Sequence, residues 1–218
     1  TELSQHYDSP SSEISDDLAA MLAHLKDLSD ALLNSRQTNA LVQKDRKEFY
    51  LELDDQQKIV DIKTKILTPA HRIVEEAMVA TNRCVADFLA KKAIPSIFVS
   101  HQGLRSDRFE VVDNVLAESL DDYQAGAIGE LPGFIHTVQK VASTPLHLII
   151  SRQLDKSSLS SEAQPHFGMG LAQYTTFTSP LRKAQDYLIH RQISALLNNK
   201  KEPIESQKLT AIAEATQA

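Results

Sequence analysis

Apolar residues recur at three- and four-residue intervals in one window after another, and this spacing restricts the chain to a helix-dominated fold. Leu18, Met21, Leu22, Leu25, Leu28 and Leu32 set the pattern. Ser15 precedes them as an N-cap, with Asp16 and Asp17 in the first turn, where carboxylates meet the positive end of a helix. The spacing predicts an amphipathic helix to about Asn34. Ile73, Val74, Ala77, Met78, Ala80, Cys84, Val85 and Leu89 predict a second, from Pro69 to about Lys92. Leu181, Leu188, Ile189, Ile193, Leu196 and Leu197 predict a third, from Ser179 to Leu197, and Pro203 opens another. Only 6 of 218 residues are glycine, well under the usual share of about 7%. That scarcity suits helices better than turns.

Strand signals are few. Phe49, Leu51 and Leu53 alternate, and so do residues 59–63, which predicts a hairpin turning over Asp54 to Gln57 without a glycine. Residues 96–100 predict a short strand closed by Gly103. Residues 108–142 predict two short helices broken near Gly126 to Gly129. Periodicity leaves Leu146 to Ile150 open between a strand and the end of a buried segment. Residues 151–178 read as extended and irregular. The fold class is α+β, helix-rich, with a short hairpin and few strands. Both ends read as cuts, so the chain is expected to be a fragment of a larger protein.

Charge and cysteine content narrow the function. Lys and Arg total 23 against 29 Asp and Glu, a net charge of −6. An acidic chain is a poor unselective binder of polyanions, because counterion release needs a concentrated basic surface, although a narrow, locally basic groove stays compatible with it. No apolar run approaches the roughly 18 residues of a spanning helix, so no membrane role is expected. Cys84 is the single cysteine. It allows no internal disulfide and no thiolate metal site, which fits a reducing, cytoplasmic setting.

The densest chemical text is residues 166–191, HFGMGLAQYTTFTSPLRKAQDYLIHR. Gly168 and Gly170 permit close backbone approach to a ligand. Tyr174 and Phe177 offer flat faces for stacking on a sugar or base. Thr178 and Ser179 are expected to cap the next helix, with Pro180 in its first turn. Arg182 would then project beside a helix N-terminus, joining its guanidinium to free amides in a setting that suits phosphate. Arg182, Asp186 and His190 fall four apart, as a charged stripe on that helix would. Capped helices bearing an Arg–Asp pair are also common without any ligand.

This stretch resembles the C-terminal signature of the ribonuclease II family, which runs His-Phe-Gly-Leu-Gly, an aromatic, Thr-Ser-Pro-Ile/Leu-Arg, then Asp and His-Arg on a helix. Residues 71–89, HRIVEEAMVATNRCVADFL, resemble that family's Glu-Glu helix, and residues 40–46, ALVQKDR, a third motif. The three occur in family order, and the resemblance covers nearly the whole chain. It implies the C-terminal portion of one catalytic domain, with the metal-binding portion and RNA-binding barrels absent. The implied activity is processive 3′→5′ hydrolysis of single-stranded RNA to nucleoside 5′-monophosphates with Mg²⁺, incomplete in this piece alone. The family's catalytic arginine falls on Arg182, and the glutamate that contacts the terminal nucleotide falls on Glu75. His166, Tyr174 and Ser179 are expected to line the RNA channel. His190 is expected to pack or hydrogen-bond rather than to transfer protons. The alternative is a non-catalytic RNA- or protein-binding scaffold of the same descent.

Two departures from the family pattern bear on this reading. Asp8, Asp16 and Asp17 partly mimic the family's metal-binding aspartates, but Ile14 stands at a required aspartate position. They also lie too close to Glu75 in sequence, so the metal ligands are expected upstream of residue 1 and none is assigned here. Gln43 stands where the family carries a phenylalanine that clamps stacked bases. A stacking contribution of about 1–3 kcal/mol is therefore missing. Gln43→Phe in the full-length protein should tighten RNA binding and shift the length of the final product. An unchanged product length would contradict this.

Overall fold

Ser15 Oγ accepts the Leu18 amide at 3.3 Å, the expected cap, and behind it α1 runs Asp16–Gln37, somewhat past the predicted end. The structure is a computed structural model and describes residues 15–40, 48–65, 68–200 and 204–217. Asp8, Gln43 and Pro203, singled out above, lie outside the described residues. The chain divides into two compact units, residues 1–33 with 44–77 and residues 34–43 with 78–218.

In the first unit, strand β1 (Glu48–Leu53) pairs antiparallel with β2 (Ile59–Lys65), with Leu51 opposite Ile62. Gln57 replaces the missing turn glycine by adopting φ +60°. Asp54 Oδ1 accepts the amides of Gln56 and Lys58 at 2.8 and 2.9 Å, so a side chain closes the turn. Phe49, Leu51, Ile59 and Ile62 are each more than half exposed, and Met21 and Leu28 of α1 are too.

Helix α2, Pro69–Lys91, forms as predicted, but its buried face differs from the expected one. Glu76, Val79, Asn82, Ala86 and Leu89 are buried, whereas Val74 and Cys84 are exposed. Two polar residues therefore occupy interior positions, which a stripe drawn through apolar residues alone cannot find. Within the second unit, β3 (Phe98–Ser100) pairs antiparallel with β4 (Ser158–Ser160), a strand inside the stretch whose sequence predicts only extended, irregular structure. Helices α3 (Phe109–Ser119), α4 (Leu131–Lys140) and α5 (Leu146–Ser151) close a core of Val112, Leu116, Phe134, Val138 and Ile150. The ambiguous segment at 146–150 is thus helical. Gly126, at φ +84°, makes the break between α3 and α4. Helix α6 (Ala184–Leu197) packs Ile189 against Ala86, Leu89 and Phe98. A fully buried Leu or Ile in such a cluster contributes about 1.5–3 kcal/mol. Helix α7, Ser206–Gln217, packs Leu209 and Ala213 on Ile97.

Two features of residues 166–171 have structural rather than ligand-binding causes. Gly170 has φ +67°, and a Cβ there would lie 2.2 Å from the Arg36 carbonyl oxygen and 2.8 Å from the Ala40 amide nitrogen. The close approach expected for a ligand is made instead by the backbone at the end of α1. A Cβ on Gly168 would meet only ordinary contacts, the nearest at 3.5 Å. The His166 imidazole stacks on that of His101, centroids 5.6 Å apart and planes 24° from parallel. Around the pair, the His101 amide bonds to Pro165 O and the Phe167 amide to His101 O. Burial, and then the neighbouring His101, pushes His166 down to about 4, and burial lowers His101 as well.

Gly170→Ala is expected to cost at least about 2 kcal/mol in urea unfolding, from left-handed strain plus overlap with rigid backbone. A loss under about 0.5 kcal/mol would show that this approach is dispensable. Acid should weaken the fold through His166. The unfolded chain protonates this histidine near 6.5, while the folded one stays neutral until about 4, so stability falls as pH drops through that window. The full effect is on the order of 3 kcal/mol. His166→Phe should flatten the decline in Tm between about pH 6.5 and 4.5; a decline parallel to wild type would contradict the assignment.

Candidate functional site

The segment 173–182 has no regular secondary structure, yet nearly every residue in it is tied to a neighbouring element. Gln173 Nε2 donates to Asp87 Oδ1 at 2.7 Å. Tyr174 O accepts the Val99 amide at 2.9 Å, and its hydroxyl accepts Asn82 Nδ2 at 2.8 Å. Thr175, fully buried, donates to Ile97 O at 2.6 Å. The Phe177 amide donates to Asn82 Oδ1 at 2.9 Å. His190 stacks on the Phe177 ring, centroids 3.8 Å apart and planes 4° from parallel, while its Nε2 donates to Phe177 O at 2.9 Å. Asn82 therefore serves two loop residues from inside α2, where a buried amide is tolerated only because both its ends are bonded.

The next tie is made by Asp186, which is completely buried. Its Oδ2 accepts the Ser179 amide at 2.8 Å and its Oδ1 accepts the Thr176 hydroxyl at 2.5 Å. Thr176 Oγ1 in turn accepts Gln185 Nε2 at 2.5 Å. This overturns two expectations. Asp186 does not share an exposed charged stripe with Arg182, and Thr178 and Ser179 do not cap the helix. Helix α6 starts at Ala184, with Lys183 extended in the cap position and forming no side-chain cap bond. The physical reason is that the Asp186 carboxylate engages the loop amide of Ser179. Residues 180–182 instead form a separate turn in which Ser179 O accepts the amides of Arg182 and Lys183, at 3.2 and 3.0 Å.

Arg182 emerges from that turn exposed. Its guanidinium makes one long contact, Nη2 to Ser179 Oγ at 3.5 Å, and no ion pair among the described residues. A forked cation on a fixed turn can take an anionic ligand bidentately. Ser179 is partly exposed beside it. Tyr174 and His166, expected to line a channel, are both buried and meet edge to face, centroids 5.7 Å apart. Neither presents a free face to a base, so both act from beneath the segment; burial also raises the Tyr174 phenol above its ordinary value. Glu75, in the first unit, is exposed on α2, whereas its neighbour Glu76 is buried. Asn82 and Gln185 are supports of the segment that the sequence reading does not single out, and the inward orientation of Asp186 is one it does not give. Their one signal was a polar residue in phase with buried apolar ones, Asn82 between Val79 and Ala86.

Among the described residues, no group of three or more His, Cys, Asp or Glu side chains could hold a metal ion. Asp16 and Asp17 are exposed at the start of α1. No helix among the described residues is long and apolar enough to cross a membrane.

Known proteins are similar to this chain in sequence and in fold. The Exoribonuclease 2 of Haemophilus influenzae strain PittGG is 31% identical over 215 residues, 93% of this chain and 32% of that protein. That of Vibrio vulnificus strain YJ016 is 32% identical over 195 residues, 88% of this chain and 29% of that protein. The chain thus spans about a third of the length of the curated relatives it matches. In fold it is similar to Mycoplasma genitalium RNase R in complex with ribose-methylated single-stranded RNA, with a TM-score of 0.78 at 20% identity, over 97% of this chain and 34% of that one. It is also similar to yeast Ssd1, described as a pseudonuclease, with a TM-score of 0.66 at 15% identity, over 99% of this chain and 27% of that one. The RNB domain pattern matches residues 1–199, and the chain therefore belongs to the ribonuclease II, or RNB, family.

Proposed function

We propose that this chain is the C-terminal portion of the catalytic domain of a processive 3′→5′ exoribonuclease, cytoplasmic in setting. The substrate is single-stranded RNA and the product a nucleoside 5′-monophosphate. Carrying this reading is the exposed Arg182, without an ion pair among the described residues, on a turn locked from below by buried Asp186. The Exoribonuclease 2 relatives support the chemistry, and the RNase R structure with single-stranded RNA supports the substrate class.

In this reading water attacks the last phosphodiester in line. A bond forms from the water oxygen to phosphorus, the bond from phosphorus to the 3′ oxygen breaks, and that oxygen leaves with a proton as the new 3′ end. Arg182 holds the phosphate and offsets charge as it builds on the equatorial oxygens, a role worth most where geometry is set beforehand. Ser179 flanks the phosphate, and Glu75 holds the terminal nucleotide. Mg²⁺ belongs to the reading through ligands outside the described residues, and no step is assigned to it. The remaining metal-binding portion and the RNA-binding barrels belong to the rest of the protein; the exposed apolar side chains of β1, β2 and α1 suit surfaces covered in a larger molecule.

Ssd1, a pseudonuclease, shares the fold, so fold alone does not separate an enzyme from a binding scaffold. Mutation of the full-length protein does. Arg182→Ala should lower kcat on single-stranded RNA about 100- to 1,000-fold, as loss of a transition-state donor does, with RNA affinity changed only a few-fold. Equal losses in turnover and affinity, or an inactive wild-type protein that still binds RNA, would favour the scaffold.

A further inference from the structure

We infer that Asp186 is a positioning residue for Arg182, an inference that rests on the reading of Arg182 given above. The carboxylate is fully buried and makes no ion pair among the described residues. Its two oxygens are spent on two loop groups, the Ser179 amide and the Thr176 hydroxyl. The Ser179 carbonyl then accepts the Arg182 amide at 3.2 Å and the Lys183 amide at 3.0 Å. One acid, acting through one residue, therefore sets the backbone from which Arg182 projects.

Three physical points favour a role in geometry over one in stability. A buried carboxylate is a weak source of stability, since desolvation offsets its hydrogen bonds, and an apolar residue of similar size would fill the space at lower cost. An amide replaces it imperfectly: with its NH₂ group toward Ser179 it meets that amide donor against donor, and turned the other way it keeps Ser179 only through a neutral acceptor while the Thr176 hydroxyl must swing from donating to accepting. Turning the acid inward also leaves Arg182 unneutralised. An Asp four residues after an Arg on a continuous surface helix would pair with it; here the interruption at Lys183 and the inward carboxylate keep the guanidinium open to an incoming anion.

The test uses the full-length protein, with single-turnover cleavage and equilibrium binding of a single-stranded oligoribonucleotide. Asp186→Asn should slow cleavage about 10- to 100-fold, the effect of a misplacement near 1 Å, while Kd changes less than about three-fold. Thr176→Val removes one support and should slow cleavage about 3- to 10-fold, with Tm lowered because Oδ1 of the buried carboxylate loses its partner. In an Arg182→Ala background either substitution should cost less than about two-fold, because the residue it positions is gone. A loss that persists undiminished in that background, measured well below the Tm of each variant so that all are folded, overturns the proposal. Full activity of Arg182→Ala by itself overturns the reading of Arg182 and this inference with it, and that result is seen without either of the other variants.

Discussion

The buried carboxylate of Asp186 is the constraint on which the rest of the site depends. Sequence spacing invites it to join Arg182 on a helix surface, but it points into the protein and holds the Ser179 amide and the Thr176 hydroxyl. That choice delays the start of α6 to Ala184 and leaves residues 180–182 as a turn of their own. Taking a carboxylate out of water costs several kcal/mol, and the arrangement survives because both oxygens are bonded and the charge sits in the first turn of a helix.

Around this grip the protein makes an irregular segment rigid without giving it secondary structure. Asn82 reaches it from α2, Ile97 and Val99 from β3 and its approach, and His190 from α6. Two apolar clusters lie beneath, one joining Ala86, Leu89, Phe98 and Ile189, the other Val79, Leu171 and Tyr174. The His101–His166 stack and the close approach of Gly170 to the end of α1 hold the segment that leads into it. Functional side chains are placed most accurately when the elements behind them are packed and bonded, and Arg182 is supplied with such a backing.

What could be read beforehand follows from which forces are local. The leucines of α1, its Ser15 cap and the hairpin alternation are local signals, and each element formed where expected. The face of α2 was misplaced because Glu76 and Asn82 are interior, and polarity misleads wherever burial is compensated by bonds formed far along the chain. The start of α6 was misplaced for a related reason: Ser179 and Pro180 look like a cap and a first turn, but the bond from Asp186 spans seven residues and overrules them. Strand β4 carries no signal of its own and exists through pairing with β3. The motif of residues 166–182 contains the candidate site, yet Tyr174, His166 and Gly170 lie beneath its surface rather than on it.

Membership of the RNB family joins this chain to exoribonucleases and, in fold, to a pseudonuclease, so the proposed role of Arg182 rests on what the turn presents and not on the fold. The most direct measurement is a crystal structure of the full-length protein with an uncleavable single-stranded RNA bound. The account predicts the Arg182 guanidinium within about 3 Å of the last phosphodiester, with the Ser179 amide still bonded to Asp186. A structure in which that phosphate is held by other groups, with Arg182 left in solvent, would contradict it.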